Sequence, residues 1–193
     1  NLFMDSLWGN WRRWNNITGW LLFLISAIVY ILTLEPTVSF WDCGEFILSA
    51  FRLQVGHPPG APLFLMVGRV ATLFAGGDTS KVALMINILS ALCSAFAILF
   101  LFWTITHLAL KLIQFRKADT LIPVHANADQ ISSTLSPAEF IAVLGSGLVG
   151  ALAYTFTDTF WFSAVEGEVY ASSSFFTAVV FWAILKWEDV ADE

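Results

Sequence analysis

Residues 82–110 read VALMINILSALCSAFAILFLFWTITHLAL, with no lysine, arginine, aspartate or glutamate. A helix rises 1.5 Å per residue and a bilayer's hydrocarbon core is about 30 Å thick, so about 20 apolar residues cross it. This run is longer than a crossing needs, which predicts a helix that tilts or protrudes. Asn87, Ser90 (or Ala91) and Ser94 recur at helical spacing. Polar groups facing lipid are costly, so that face is predicted to point toward other helices. Three further uncharged or nearly uncharged runs flank it, at about 19–34, 138–156 and 169–187. Glu35-Pro36 ends the first, because proline disfavours helix at the residue before it. Ser136-Pro137 is a start signal for the third. The sequence therefore predicts an all-α, polytopic helical membrane protein with about four transmembrane helices.

Composition agrees. Hydrophobic residues make up 58% of the chain and charged residues 12%. A soluble domain carries about 25% charged residues. The formal charge is −6, and no basic block of the kind that binds nucleic acid is present. Neither cysteine shows metal-ligand or disulfide spacing. Cys93 reads as a packing residue in an apolar run and Cys43 as a small residue at a turn. No small-residue cleavage site follows the first apolar run, so no signal peptide is expected. The start at Asn1 and the stop soon after the last apolar run read as a fragment of a longer chain.

The domain plan is a cytoplasmic or interfacial N-terminus (1–18), a transmembrane domain (19–187) and the start of a cytoplasmic segment (188–193). Trp8, Trp11 and Trp14 recur every third residue, which suits indoles at headgroup level. Outer loops span 35–81 and 157–168, and an inner loop spans 111–137. Arg12, Arg13, Lys111, Arg116, Lys117 and Lys186 fall on one side, against Arg52, Arg69 and Lys81 on the other. By the positive-inside rule the first side is cytoplasmic. Asn16-Ile17-Thr18 matches a glycosylation sequon, a pattern common by chance. Within the first outer loop, 62–74 is apolar except for Arg69. It is short for a span and reads as a re-entrant or interfacial helix.

That loop also carries the residues best suited to chemistry. Trp41-Asp42-Cys43-Gly44-Glu45-Phe46 places two carboxylates three apart beside a span. Asp42 and Glu45 suit a site acid or base. They also fit a capping box, with Asp42 as N-cap and Glu45 at the third position of a helix running to Gln54. Gly56-His57-Pro58-Pro59-Gly60-Ala61-Pro62 is a rigid turn around a histidine that can titrate near neutrality. Arg52 and Arg69 lie among apolar residues and each needs a partner. One reading is snorkelling to headgroups, the other a clamp on phosphate. Val165-Glu166-Gly167-Glu168-Val169-Tyr170 puts a second acidic pair at the head of the last span, as loop solubility or a second wall of one pocket. Gly145-Ser-Gly147-Leu-Val-Gly150 fits GxGxxG, but inside an apolar span. The dinucleotide motif needs a preceding strand, so close helix packing is expected instead. There is no cofactor-binding motif. A divalent cation at Asp42 and Glu45 is chemically feasible, though the spacing does not indicate one, and no metal ligand is assigned.

The runs Trp41-Asp42-Cys43-Gly44-Glu45-Phe46 and Val55-Gly56-His57-Pro58-Pro59-Gly60-Ala61-Pro62-Leu63 resemble the W-D-S/C-G-E … G-x-x-H-P-P-G-x-P-L signature of a family of large membrane proteins. That family, long catalogued as a domain of unknown function, looks like a branch of the glycosyltransferase-C superfamily related to protein O-mannosyltransferases. Val165 to Tyr170 is similar to its second acidic segment. The resemblance implies an inverting enzyme that moves a mannose-like sugar from a polyprenyl-phosphate carrier to a protein or glycan acceptor outside the cytoplasm. Its membrane would be the bacterial inner membrane, or the endoplasmic reticulum in a eukaryote. It implies Asp42 as base or acceptor-orienting acid, with Glu45 beside it. Arg52, His57, Pro58, Pro59, Glu166, Glu168 and Tyr170 would line the substrate site. The remainder of the polypeptide would complete the pocket.

Two other classes compete. A transporter or channel subunit should carry charges in mid-span, whereas 82–110, 138–156 and 169–185 hold one acid, Glu139, near an end. A non-catalytic subunit of a membrane complex is the other. An enzyme predicts that Asp42, Glu45, His57 and Glu166 converge on one cavity. A scaffold predicts scattered, solvated acids.

Overall fold

A computed structural model describes residues 11–58, 60–117 and 135–191. Among these, all regular structure is helical. The helices are α1 (Trp11–Thr33), α2 (Cys43–Arg52), α3 (Pro62–Leu73), a 3₁₀ turn (Thr79–Lys81), α4 (Val82–Lys117), α5 (Pro137–Thr155), α6 (Asp158–Ala164) and α7 (Val169–Glu188). Helices α1, α4, α5 and α7 are long and apolar enough to cross a membrane. At 36 residues α4 extends about 54 Å, well beyond one bilayer core.

The burial pattern is that of a protein whose solvent includes lipid. Asn87, Ser90 and Ser94 are all buried, on the face of α4 where their spacing places them. Large apolar side chains such as Leu21, Leu24, Ile28 and Leu32 on α1 are exposed, as are Phe176, Val180 and Ile184 on α7.

The chain divides into two compact units. One comprises the described parts of 1–23, 98–154 and 178–193. In it Trp11, Leu110, Phe140 and Val143 form a core, with the Trp11 ring edge-on to Phe140 at 5.5 Å. Trp11 is thus buried among helices, and its own helix continues directly into the first long apolar run. Trp8 lies outside the described residues. A Cβ at Gly147 would stand 2.6 Å from Thr106, and one at Gly150 would stand 2.7 Å from Ile105. Two of the three GxGxxG glycines therefore let α5 approach α4, and the motif lies within one helix.

The other unit comprises 24–97 and 155–177. Ile47, Ala50, Phe64, Leu65, Val82, Ala83 and Ile86 form its core. Helices α2 and α3 pack closely because Gly68 has no side chain: a Cβ there would lie 2.9 Å from that of Ala50. Tyr30 is fully buried and donates its hydroxyl to the Thr155 carbonyl at 2.9 Å. Residues 158–164, expected as loop, form α6, whose Trp161 indole donates to Thr33 at 3.1 Å.

Candidate active site

The second unit holds the acidic and histidine motifs. Trp41 sits at φ 62° and is 88% exposed. This left-handed conformation costs a side-chain-bearing residue roughly 1–2 kcal/mol. It turns the chain sharply into α2 at Asp42. Asp42 is itself helical, at φ −79° and ψ −5°, and its side chain makes no cap bond. The expected capping box is not formed. Helix α2 also ends at Arg52, two residues short of Gln54, because Leu53 adopts a left-handed C-cap that donates back to Ala50.

Glu45 turns to His57 instead. Its Oε1 accepts the His57 backbone N–H at 2.6 Å, and its Oε2 lies 2.9 Å from Nδ1. Gly56 makes room for this, since a Cβ there would stand 3.1 Å from the Glu45 carboxylate. The ring of Phe46 flanks that of His57 at 5.8 Å. The hydrogen bond from His57 lowers the acidity range of Glu45 below the usual carboxylate value. The same bond raises His57 above an ordinary histidine, with help from the charges of Glu45 and, more weakly, Asp42.

The second acidic pair arrives from the turn after α6. Glu166 and Glu168 are buried, at 3% and 8% exposure. Ser39 donates its hydroxyl to Glu166 at 2.6 Å, and the Cys43 thiol lies 3.4 Å from Glu168. Burial raises Glu168 above the usual carboxylate range, and the charges of Glu166 and Asp42 add to the shift. Burial likewise pushes the Cys43 thiol upward, reinforced by both glutamates. Asn87 clamps the segment leading to the site, donating Nδ2 to the carbonyls of Glu35 and Thr37 at 2.6 and 3.0 Å.

Asp42, His57, Glu168 and Tyr170 line one cavity of about 780 Å³. Its other walls are mostly apolar, including Leu63, Val67, Leu89, Leu92, Phe96 and Phe175. Cys93, read as a packing residue, is also on the wall. The volume lies in the range of small-molecule sites. Glu45, bonded to His57, and Glu166, bonded to Ser39, are not among the lining residues. Arg52 and Arg69 do not line it either. Arg69 donates to the Phe51 carbonyl at 2.8 Å, and both guanidinium groups flank the Phe51 ring, at 5.7 Å for Arg52 and 5.4 Å for Arg69. Pro58 is exposed and is not on the cavity wall. Pro59 lies outside the described residues. Sequence reasoning missed the Ser39–Glu166 and Cys43–Glu168 contacts, which join segments more than 120 positions apart and leave no local signature.

Fold and site together define a polytopic helical membrane protein with carboxylates and a histidine set on an apolar cavity. More narrowly, the chain belongs to the protein O-mannosyl-transferase TMEM260 N-terminal domain family, whose model matches residues 42–193. That match takes in every residue lining the cavity. The chain is 26% identical over 160 residues to the protein O-mannosyl-transferase tmem260 of Dictyostelium discoideum, covering 83% of this chain and 16% of that protein. It is 38% identical over 102 residues to the protein O-mannosyl-transferase TMEM260 of Mus musculus, covering 52% and 14%. The chain thus spans about one sixth of the length of these curated relatives. No solved structure matches it.

Proposed function

We propose that this chain is the N-terminal part of an inverting membrane glycosyltransferase of the glycosyltransferase-C type. It moves a mannose-like sugar from a polyprenyl-phosphate carrier to a hydroxyl of a protein acceptor on the outer face of the membrane. The loops 35–81 and 157–168 lie on that face and the N-terminus in the cytoplasm. The observation that carries the reading is the Asp42 carboxylate, on the wall of an apolar cavity with His57 and Glu168. The relatives' names, both protein O-mannosyl-transferases, support the reaction class and the protein acceptor.

Each group has a role suited to its surroundings. The acceptor oxygen attacks the anomeric carbon and its proton passes to Asp42. The bond from that carbon to the phosphate oxygen breaks, and its electron pair leaves with the polyprenyl phosphate. A positioned base contributes about 10²–10⁴-fold to such a step. Glu45 holds Nδ1 of His57 and favours its cationic form. That leaves Nε2–H to stabilise the departing phosphate, where preorganised charge is most effective. Leu63, Val67, Leu89 and Phe96 offer the isoprenoid chain an apolar wall.

The test is sugar transfer by the full-length protein from a polyprenyl-phosphate mannose donor to a peptide acceptor. Asp42→Asn should reduce the rate about 10²–10⁴-fold. An undiminished rate would show that Asp42 is not the base. A wild-type enzyme that ignores every polyprenyl-phosphate sugar would overturn the donor class.

A further inference from the structure

We propose that Cys43, Glu166 and Glu168 bind a divalent cation of borderline softness, Zn²⁺, beside the cavity. One ligand atom from each residue lies within 4.8 Å of the others, and all three side chains are buried. Zinc is tetrahedral with ligands at about 2.0–2.3 Å, so its ligand atoms stand about 3.3–3.8 Å apart. Cys43 Sγ and the Glu168 carboxylate are already 3.4 Å apart, and side-chain movement of up to about 1 Å brings in the rest. Two carboxylates and one sulfur form a mixed donor set that suits zinc better than calcium, magnesium or manganese.

A cluster of acids alone would not make a site. The second observation is Asn87, which is fully buried with Oδ1 unpartnered. Its Nδ2 is committed to the carbonyls of Glu35 and Thr37, which fixes which way the amide points. Oδ1 therefore faces the 166–168 turn, 2.9 Å from where a Cβ on Gly167 would stand. Gly167 lies between the two glutamates. Beside the two carboxylates, the turn thus gathers an amide oxygen with no donor and a thiol that donates to Glu168 at 3.4 Å. Among the described residues, no lysine, arginine or histidine forms an ion pair with either glutamate. Buried charges of one sign need a counter-charge. A cation supplies it, with Asn87 Oδ1 or a water in its fourth position, whereas a proton shared between the glutamates offers Oδ1 nothing. On binding, the Cys43 S–H bond breaks, its proton goes to solvent and its electron pair stays on sulfur as a metal donor.

Because Glu168 also lines the cavity, the ion would place positive charge on the cavity wall. Its use toward the donor's phosphate rests on the proposed transfer reaction, whereas its binding does not. The binding test therefore uses chelator-stripped, full-length protein titrated with Zn²⁺ alone, without donor or acceptor. Wild type should bind one equivalent more than a Glu166→Gln/Glu168→Gln double variant, and Cys43→Ser should weaken Zn²⁺ binding at least 10-fold. Equal stoichiometry in wild type and double variant overturns the proposal. If the double variant does not fold, Co²⁺ added to wild type decides. A thiolate-to-cobalt charge-transfer absorption that Cys43→Ser removes supports the site, and a wild-type spectrum without it refutes it. A protein that binds the ion yet transfers no sugar would sink the proposed function and leave this site standing.

Discussion

The glycines of α5 offer a test in which one helix supplies its own control. Gly145 and Gly147 both lie in Pro137–Thr155, so alanine gives each the same gain in helix propensity, about 1 kcal/mol. Their surroundings differ. A Cβ at Gly145 meets nothing within 4 Å among the described residues. At Gly147 it would stand 2.6 Å from the Thr106 methyl and 2.8 and 2.9 Å from two Phe102 ring atoms. Neither neighbour yields easily: Thr106 is held by its hydroxyl bond to the Trp103 carbonyl at 3.1 Å, and Phe102 is fully buried. Relief to ordinary contact requires close to 1 Å of movement, and such overpacking costs about 1–3 kcal/mol. The propensity gain cancels in the comparison. Gly147→Ala should therefore be about 1–3 kcal/mol less stable than Gly145→Ala, a factor of roughly 5 to 150 in the unfolding equilibrium. Denaturant unfolding of the full-length protein in detergent measures the difference. Two variants within 0.5 kcal/mol of each other would refute the close helix approach at Gly147.

Glu45→Gln should return the His57 titration toward the ordinary histidine range, followed by NMR of the ring. His57 is raised in the fold, so its share of the pair's stability is complete below the ordinary histidine value and is lost as pH rises through the raised one. Glu45 is lowered, so its share holds above the ordinary carboxylate value and is lost as pH falls through the lowered one. The pair is thus intact between those limits, and a His57 titration unmoved by Glu45→Gln would exclude it. Tyr30→Phe removes the buried hydroxyl bond to the Thr155 carbonyl and should cost about 1–3 kcal/mol. Unchanged thermal unfolding would show that this bond contributes nothing.

Much of the fold was legible because lipid imposes a coarse rule. Long uncharged runs must be helices, since every backbone group in hydrocarbon needs an internal partner. The polar face of α4 was legible for the same reason: Asn87, Ser90 and Ser94 had to turn away from lipid. Helix ends were not. Hydropathy marks where a helix is apolar, whereas α4 runs on to Lys117 through charged residues that pair with acids elsewhere, Lys111 with Glu188 and Lys117 with Glu139. Helix α6 escaped notice because seven residues are too few to show a period.

The site divides along a similar line. Asp-x-x-Glu at 42–45 and Ser-x-x-Glu at 136–139 are equally good capping boxes on paper, yet only the second forms. Ser136 N donates to Glu139 Oε2 at 2.9 Å, and Glu139 N donates back to the Ser136 hydroxyl at 3.3 Å. An N-cap side chain reaches its target from extended backbone angles, which Asp42 lacks because the left-handed Trp41 delivers it already helical. Glu45 is then captured by His57, twelve positions on, through both a ring and a backbone donor. A cap satisfied locally consumes its acid. At 42–45 Glu45 is left to orient a histidine, and Asp42, with no cap bond, lies on the cavity wall. The loops at 35–81 and 157–168 are separated by two long apolar helices, so a reader counting crossings expects both on one side of the membrane. That parity makes a meeting of Asp42 with the second acidic pair reasonable. It cannot say which glutamate lines the cavity and which accepts from Ser39, because Ser39 stands 127 positions from Glu166 and leaves no local signature.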